Sequence, residues 1–170
     1  MTTTRTPMSS RSLPFRRAAA VLLAGAGVAF SPLLAQAHSV NGGASATVAA
    51  AAASPAAQVA VNTALAQVGK PYAWGGAGPN SFDCSGLTKY AYAAAGISLP
   101  HSSRAQSTIG AKVSRGSLQP GDLVFFYSPV SHVGMYIGNG KMVYAPTSGS
   151  VVKVGNLDYM PSFVTGRRLA

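Results

Sequence analysis

An α+β domain, with helices first and a mostly antiparallel sheet of about five strands after them, is the fold class that this chain predicts. Two observations carry the prediction. Between residues 54 and 95, apolar side chains recur at helical spacing behind residues that favour helix caps. From Gly121 onward the chain breaks into short β-branched and aromatic stretches separated by Pro, Ser, Gly and Asn, which is how strands and their turns read.

The first helix is expected to start at Ser54-Pro55, an N-cap followed by proline at the first helical position. Ala57, Val61, Ala64, Leu65 and Val68 form its inward stripe, and Gly69 and Pro71 end it. A glycine-rich loop with two large aromatics follows, Tyr72 to Asn80. The second helix begins behind Asp83. Leu87, Tyr90, Ala91 and Ala94 then follow Cys84 on one face, and Gly96 supplies the stop. Leu99-Pro100 leads into a polar segment, His101 to Gln106, which reads as a short helix or turn. Strands are expected at 122–127, 132–137, 141–145, 151–154 and 163–168.

Two registers are open for the hairpin around Gly138-Asn139-Gly140. A two-residue Asn139-Gly140 turn pairs Gly138 with Lys141 and sends His132 and Tyr144 to opposite faces. A three-residue loop over 138–140 pairs Ile137 with Lys141 instead. Tyr144 then lies opposite Gly134, with His132 as its diagonal neighbour on the same face. The longer loop is preferred, because Gly140 can take the left-handed conformation it requires.

Charge and hydropathy divide the chain ahead of this domain. The 170 residues carry a formal net charge of +10, from 13 basic and three acidic residues, and no Glu. Arg5, Arg11, Arg16 and Arg17 precede an uncharged run at 18–30, and Ala35-Gln36-Ala37 offers a small-x-small cleavage site. Residues 1–37 therefore read as a secretory signal peptide. Gly25, Gly27 and Pro32 make the segment a poor membrane span, so cleavage and no lasting membrane insertion are expected. Arg16-Arg17 fits a twin-arginine signal only loosely, which leaves the export route open. Cutting after Ala37 removes four basic residues and no acidic ones, leaving +6.

Residues 38–53 are too poor in large side chains to offset ordering entropy, and read as a flexible tether before a domain at 54–170. A secreted monomer of this charge is expected to favour anionic cell-wall polymers. A nucleic-acid partner is not expected, since no basic helix or aromatic-basic interleaving is present.

Cys84 is the one thiol, so no internal disulfide can form. Its place in the first turn of a helix, beside unpaired N–H groups, is expected to lower the thiol pKa. A small buried filler is the competing role for a free cysteine. The three histidines, His38, His101 and His132, are scattered without ligand-pair spacing, so neither a metal nor another cofactor is expected. Nucleophilic catalysis needs a thiol, a base and a group that orients the base, and His132 on a strand facing the Cys84 helix would supply the base.

Four blocks in this order, Pro71-Tyr72-Ala73-Trp74-Gly75-Gly76, Phe82-Asp83-Cys84-Ser85-Gly86-Leu87, residues 118–126 (LQPGDLVFF) and residues 131–138 (SHVGMYIG), resemble the NlpC family of papain-like cell-wall peptidases. The resemblance covers about residues 55–170. It implies a papain-like NlpC fold and a cysteine endopeptidase acting on peptidoglycan stem peptides, cutting between γ-D-glutamate and the following diamino acid. Cys84 matches the nucleophile and His132 the base. Tyr72 matches a tyrosine that hydrogen-bonds near the nucleophile, and Trp74, Asp83, Ser85 and Ser103 match positions lining the substrate cleft. The backbone N–H groups at the head of the Cys84 helix would help to hold the oxyanion.

One position departs from the family pattern. Where the family usually carries a third polar residue, commonly histidine, this chain has Tyr144. A phenol is expected to accept a hydrogen bond from the imidazole and hold it in place while stabilising its charged form less. His101 is a further candidate for that orienting role, though the cleft or the surface suits it better. Two other functions share these residues: a wall-binding module with weakened turnover, and an amidase or acyltransferase using the same nucleophile.

Overall fold

The computed structural model describes residues 53–170; the expected signal peptide at 1–37 and the expected tether up to residue 52 lie outside the described residues. Helix α1 spans Pro55–Leu65 behind Ser54, which is extended (φ −60°, ψ 158°) and accepts from the Ala57 N–H at 3.1 Å. It buries Ala57, Ala60, Val61 and Ala64. Val68 is exposed, because the helix ends at Leu65 and the turns that follow hand the Gly69 N–H to the carbonyl of Val152. Ser54→Ala is expected to cost about 1 kcal/mol and to lower Tm by a few degrees in a thermal melt.

Helix α2, Cys84–Ala94, packs beside α1 and buries Leu87, Thr88, Ala91 and Tyr92; Tyr90 is half-buried and Ala94 is exposed. Tyr92 is inward because its hydroxyl, at the far end of an otherwise apolar ring, donates to the carbonyl of Gly121 at 2.6 Å. Tyr90 meets Phe82 edge to face, with centroids 5.2 Å apart. Helix α3 is the single turn Ser103–Gln106. Gln106 is fully buried and ties it to α2, donating to the carbonyls of Ser85 (3.0 Å) and Pro100 (2.8 Å) and accepting from the Thr88 hydroxyl (2.7 Å).

The sheet has six strands, all antiparallel, one more than expected. These are β1 Ala111–Val113, β2 Leu123–Phe126, β3 His132–Gly138, β4 Lys141–Tyr144, β5 Lys153–Asn156 and β6 Phe163–Arg168, in the order β1-β6-β2-β3-β4-β5. Strand β1 has no legible pattern, since only Val113 of its three residues is buried; it exists because β6 offers it a partner edge. Strand β5 begins later than expected, because Val152 donates to the carbonyl of Lys70 and belongs to the loop after α1.

One face of the sheet carries Leu123, Phe125, Val133, Met135 and Val143 against the helices. The other gathers Val124, Phe126, Met142 and Tyr144 with Leu157.

The β3–β4 hairpin combines the two expected registers. Its turn is the two-residue one, with Asn139 (φ 51°) and Gly140 (φ 68°) both left-handed and Gly138 paired with Lys141. A bulge between Tyr136 and Gly138 then shifts the pairing by one, so that Tyr136 faces Met142 and Met135 faces Val143. The strands therefore hold the register expected from the longer loop, and Tyr144 and His132 share a face.

Candidate active site

Asp83 organises the first turn of α2. Its carboxylate accepts from the Gly86 N–H (2.7 Å), the Gly75 N–H (2.9 Å) and the Ser85 hydroxyl (3.2 Å). His101 Nε2 lies 2.8 and 2.9 Å from its two oxygens, and since a carboxylate only accepts, that nitrogen carries the proton. One side chain thus caps the helix, clamps the glycine-rich loop and draws in the segment before α3. The Asp83 N–H donates to the carbonyl of Gly76 at 2.8 Å, which presses the loop onto the helix start. Gly86 makes this possible: a Cβ there would lie 1.9 Å from the Gly76 oxygen.

The sulfur of Cys84 is half-buried in that first turn. Backbone N–H groups of Val133, Ser85 and Cys84 itself point at it and favour a thiolate, but burial outweighs them and the charge of Asp83 adds to burial. The thiol is therefore pushed up, not down as expected from the helix terminus alone. Burial first, and then the charges of Cys84 and Asp83, push up the phenol of Tyr72.

His132 is reached from the sheet. Strand β3 packs on α2, and Val133 lies against the sulfur, so the imidazole belongs to the residue next to the one the thiol touches. His132 itself pairs with Phe126 and shares that residue's face, away from the helices. It is buried, and burial pushes its pKa down to about 4. Its Nε2 has no hydrogen-bond partner among the described residues.

The expected hydrogen bond from the imidazole to Tyr144 is not formed. The tyrosine ring meets His132 edge-on, with centroids 5.9 Å apart and planes at 88°. Its hydroxyl lies over Gly155, where an added Cβ would come within 3.1 Å of it. A phenol is long enough to overshoot the nitrogen that a shorter side chain could meet. His101, engaged with Asp83, does not orient His132 either.

Tyr144→His, which places a ring nitrogen nearer Nε2, is expected to raise the His132 pKa by about 1 to 2 units, because a partner for Nε2 favours the charged form. An NMR titration of the ring protons reads it directly; an unmoved pKa would show that residue 144 cannot act on the imidazole.

Seven of the nine residues singled out in the sequence line one cleft: Tyr72, Trp74, Asp83, Cys84, Ser85, His101 and Ser103. Gly75, Ser102 and Ser131 complete its walls. Trp74, 89% exposed, stands at the rim, while Ser85 is buried and turned to Asp83. His132 and Tyr144 line a second cavity, which shares Ser131 with the first. His101 lies in the cleft, one of the two places its position suggested, but its contact with Asp83, the burial of Gln106 and the place of Ser131 had no signal in the sequence, since each depends on a distant segment.

The first cleft holds a thiol with several backbone donors at the head of α2, and a neutral imidazole lines the cavity that adjoins it at Ser131. The sequence model of the NlpC/P60 family matches residues 69–168. A probable endopeptidase of Mycobacterium bovis is 52% identical over 108 residues, which are 64% of this chain and 28% of that protein. An NlpC/P60 family protein from Bacillus cereus is similar in structure, with a TM-score of 0.64 and 38% identity over 68% of this chain and 41% of the other. The NlpC/p60 domain of the peptidoglycan hydrolase SagA gives a TM-score of 0.62 and 34% identity, covering 66% of this chain and 98% of that domain. The chain spans about a quarter of the length of the mycobacterial relative.

Proposed function

The chain belongs to the NlpC/P60 family, and from that premise we propose that it is an exported cysteine endopeptidase of peptidoglycan, cutting stem peptides between γ-D-glutamate and the diamino acid that follows. The observation that carries this reading is the meeting of the α2 terminus with the start of β3 beside the cleft. There the Cys84 sulfur lies against the N–H of Val133, and His132 is the next residue. Export rests on the pattern of residues 1–37, and attraction to anionic wall polymers on the positive charge.

In the proposed reaction, His132, neutral at pH 7, takes the thiol proton as Sγ attacks the γ-carbonyl carbon of D-glutamate. The S–C bond forms, and the N–H groups of Cys84 and Ser85 receive the developing oxyanion. Collapse breaks the C–N bond, and the imidazolium gives its proton to the departing amine. Water then attacks the thioester, giving one proton to His132 and, through it, restoring the thiol. Tyr72 and Trp74 flank the acyl half, and Ser103 offers it a hydroxyl.

A second reading, a wall-binding module with weak turnover, draws on the unpartnered Nε2 of His132. Mass spectrometry of products from a defined muropeptide separates these. The proposed activity yields a fragment ending in D-glutamate with a free carboxyl. Intact muropeptide that nonetheless remains bound would support the second reading, and cleavage at the sugar–peptide junction would identify an amidase.

A further inference from the structure

Strand pairing sets Lys112 of β1 directly opposite Arg167 of β6, so two cations share one face at an edge of the sheet, about 5 Å apart at Cα. We propose that this pair is a docking site for the phosphodiester backbone of an anionic wall polymer, set one helical turn from the cleft. This rests on the reading that positive charge draws an exported protein to wall polymers.

Like charges directly opposite each other weaken a sheet, and here nothing within the chain offsets them. The three carboxylates hold His101, Arg115 and Arg168, and none is within ion-pair distance of Lys112 or Arg167 among the described residues. The contrast within β6 is direct. Arg168 is met by Asp122 through hydrogen bonds of 2.8 and 2.7 Å, whereas Arg167 is fixed without being neutralised. Its Nε donates to the carbonyl of Ser107 at 2.6 Å and its Nη1 to that of Gly110 at 3.2 Å. The guanidinium therefore keeps its full charge in a set position, with less freedom to lose on binding than a loose side chain.

Position and donor geometry choose the ligand. Ser103 lines the cleft, and α3 carries the chain one turn, about 5 Å, from there to Ser107, with the exposed Arg104 between them. A polymer held at Lys112 and Arg167 would keep the protein on the wall with its cleft beside the bound strand. Carboxylates are best received by a two-pronged edge of a guanidinium, and each such edge of Arg167 includes Nε or Nη1, both already donating. What is left is Nη2, together with the ammonium of Lys112 from the neighbouring strand. These two donors need not be coplanar, and the two non-bridging oxygens of a tetrahedral phosphodiester suit them, one to each.

The test measures binding of lipid-free poly(glycerol phosphate), with polygalacturonate as a carboxylate polymer and phosphatidylglycerol vesicles as a lipid source of the same phosphodiester. At low salt the native chain should bind the phosphodiester polymer more tightly than either alternative, and the double variant Lys112→Gln, Arg167→Gln should bind it about tenfold more weakly. Lys112→Glu is the sharper variant. It should weaken binding by at least about tenfold while raising Tm by about 1 to 3 °C, because it gives Arg167 the cross-strand partner it lacks. Lys141→Gln, which removes a cation from β4, should change binding little. Cleavage of a small soluble muropeptide, which carries no polymer, should be the same in every variant, so failure of the endopeptidase reading and failure of the docking site show separately. Tighter binding of polygalacturonate or of vesicles, a loss with Lys141→Gln as large as with Lys112→Gln alone, or a Lys112→Glu protein that binds as before or gains no stability would each overturn the assignment.

Discussion

Cys84→Ala is expected to lower release of stem-peptide fragments by at least about a thousandfold while leaving the fold intact. Alanine keeps the helical conformation and removes only a half-buried sulfur, so circular dichroism and Tm should hardly move. The pH behaviour of the native thiol makes the sharper test. Burial and Asp83 raise the Cys84 thiol, and burial lowers His132 to about 4, so both groups rest uncharged across the neutral range. Alkylation by iodoacetamide, which follows the thiolate fraction, is therefore expected to climb steadily from pH 6 to pH 9 with no plateau on the acid side.

Turnover needs the imidazole neutral, and a pKa lowered to about 4 keeps it so at mildly acidic pH. The acid limb of kcat/KM should fall only near pH 4, not near 6.5. An alkylation plateau below pH 6 would mean a resting thiolate–imidazolium pair, contrary to the environment described for both groups. His132→Gln should abolish turnover with little effect on alkylation, since the base acts only when substrate is attacked.

Gly86→Ala should be the most damaging single methyl in the domain. The added carbon would sit 1.9 Å from the carbonyl oxygen of Gly76, and that contact is backbone against backbone. Relief requires the loop to lift by more than an ångström. It would then lose the bond from the Asp83 N–H to Gly76 and strain the bond from the Gly75 N–H to the Asp83 carboxylate. We expect a loss of roughly 3 kcal/mol and a Tm lower by about 10 °C, with activity lost at temperatures where the protein is still folded. Gly116→Ala is the control, since a Cβ there meets nothing within 4 Å. Equal stability of the two variants would show that the loop does not bear on the helix start.

Local signals were enough where a residue's role is set by its neighbours in the chain. Ser54 and Asp83 are caps because short oxygen-bearing side chains satisfy the free N–H groups just ahead of them. The strands at 123–126, 132–138 and 163–168 follow from β-branched and aromatic runs bounded by turn residues, and four ordered blocks identified the family. The chain also carries its charge balance openly: three carboxylates against 13 basic groups.

Tertiary structure alone decided the rest. The ionisation of Cys84 depends on how far it is buried and on where Asp83 points, neither of which a helix-terminus argument contains. The role of Tyr144 turned on a few ångströms: register put it on the face of His132, but the length of the phenol carried its hydroxyl past the imidazole to Gly155. A pattern along a chain fixes which faces residues occupy, because strand and helix periods are regular. It says little about distances between side chains on separate elements, and those distances set both pKa values and hydrogen bonds, because both depend steeply on separation and on the exclusion of water.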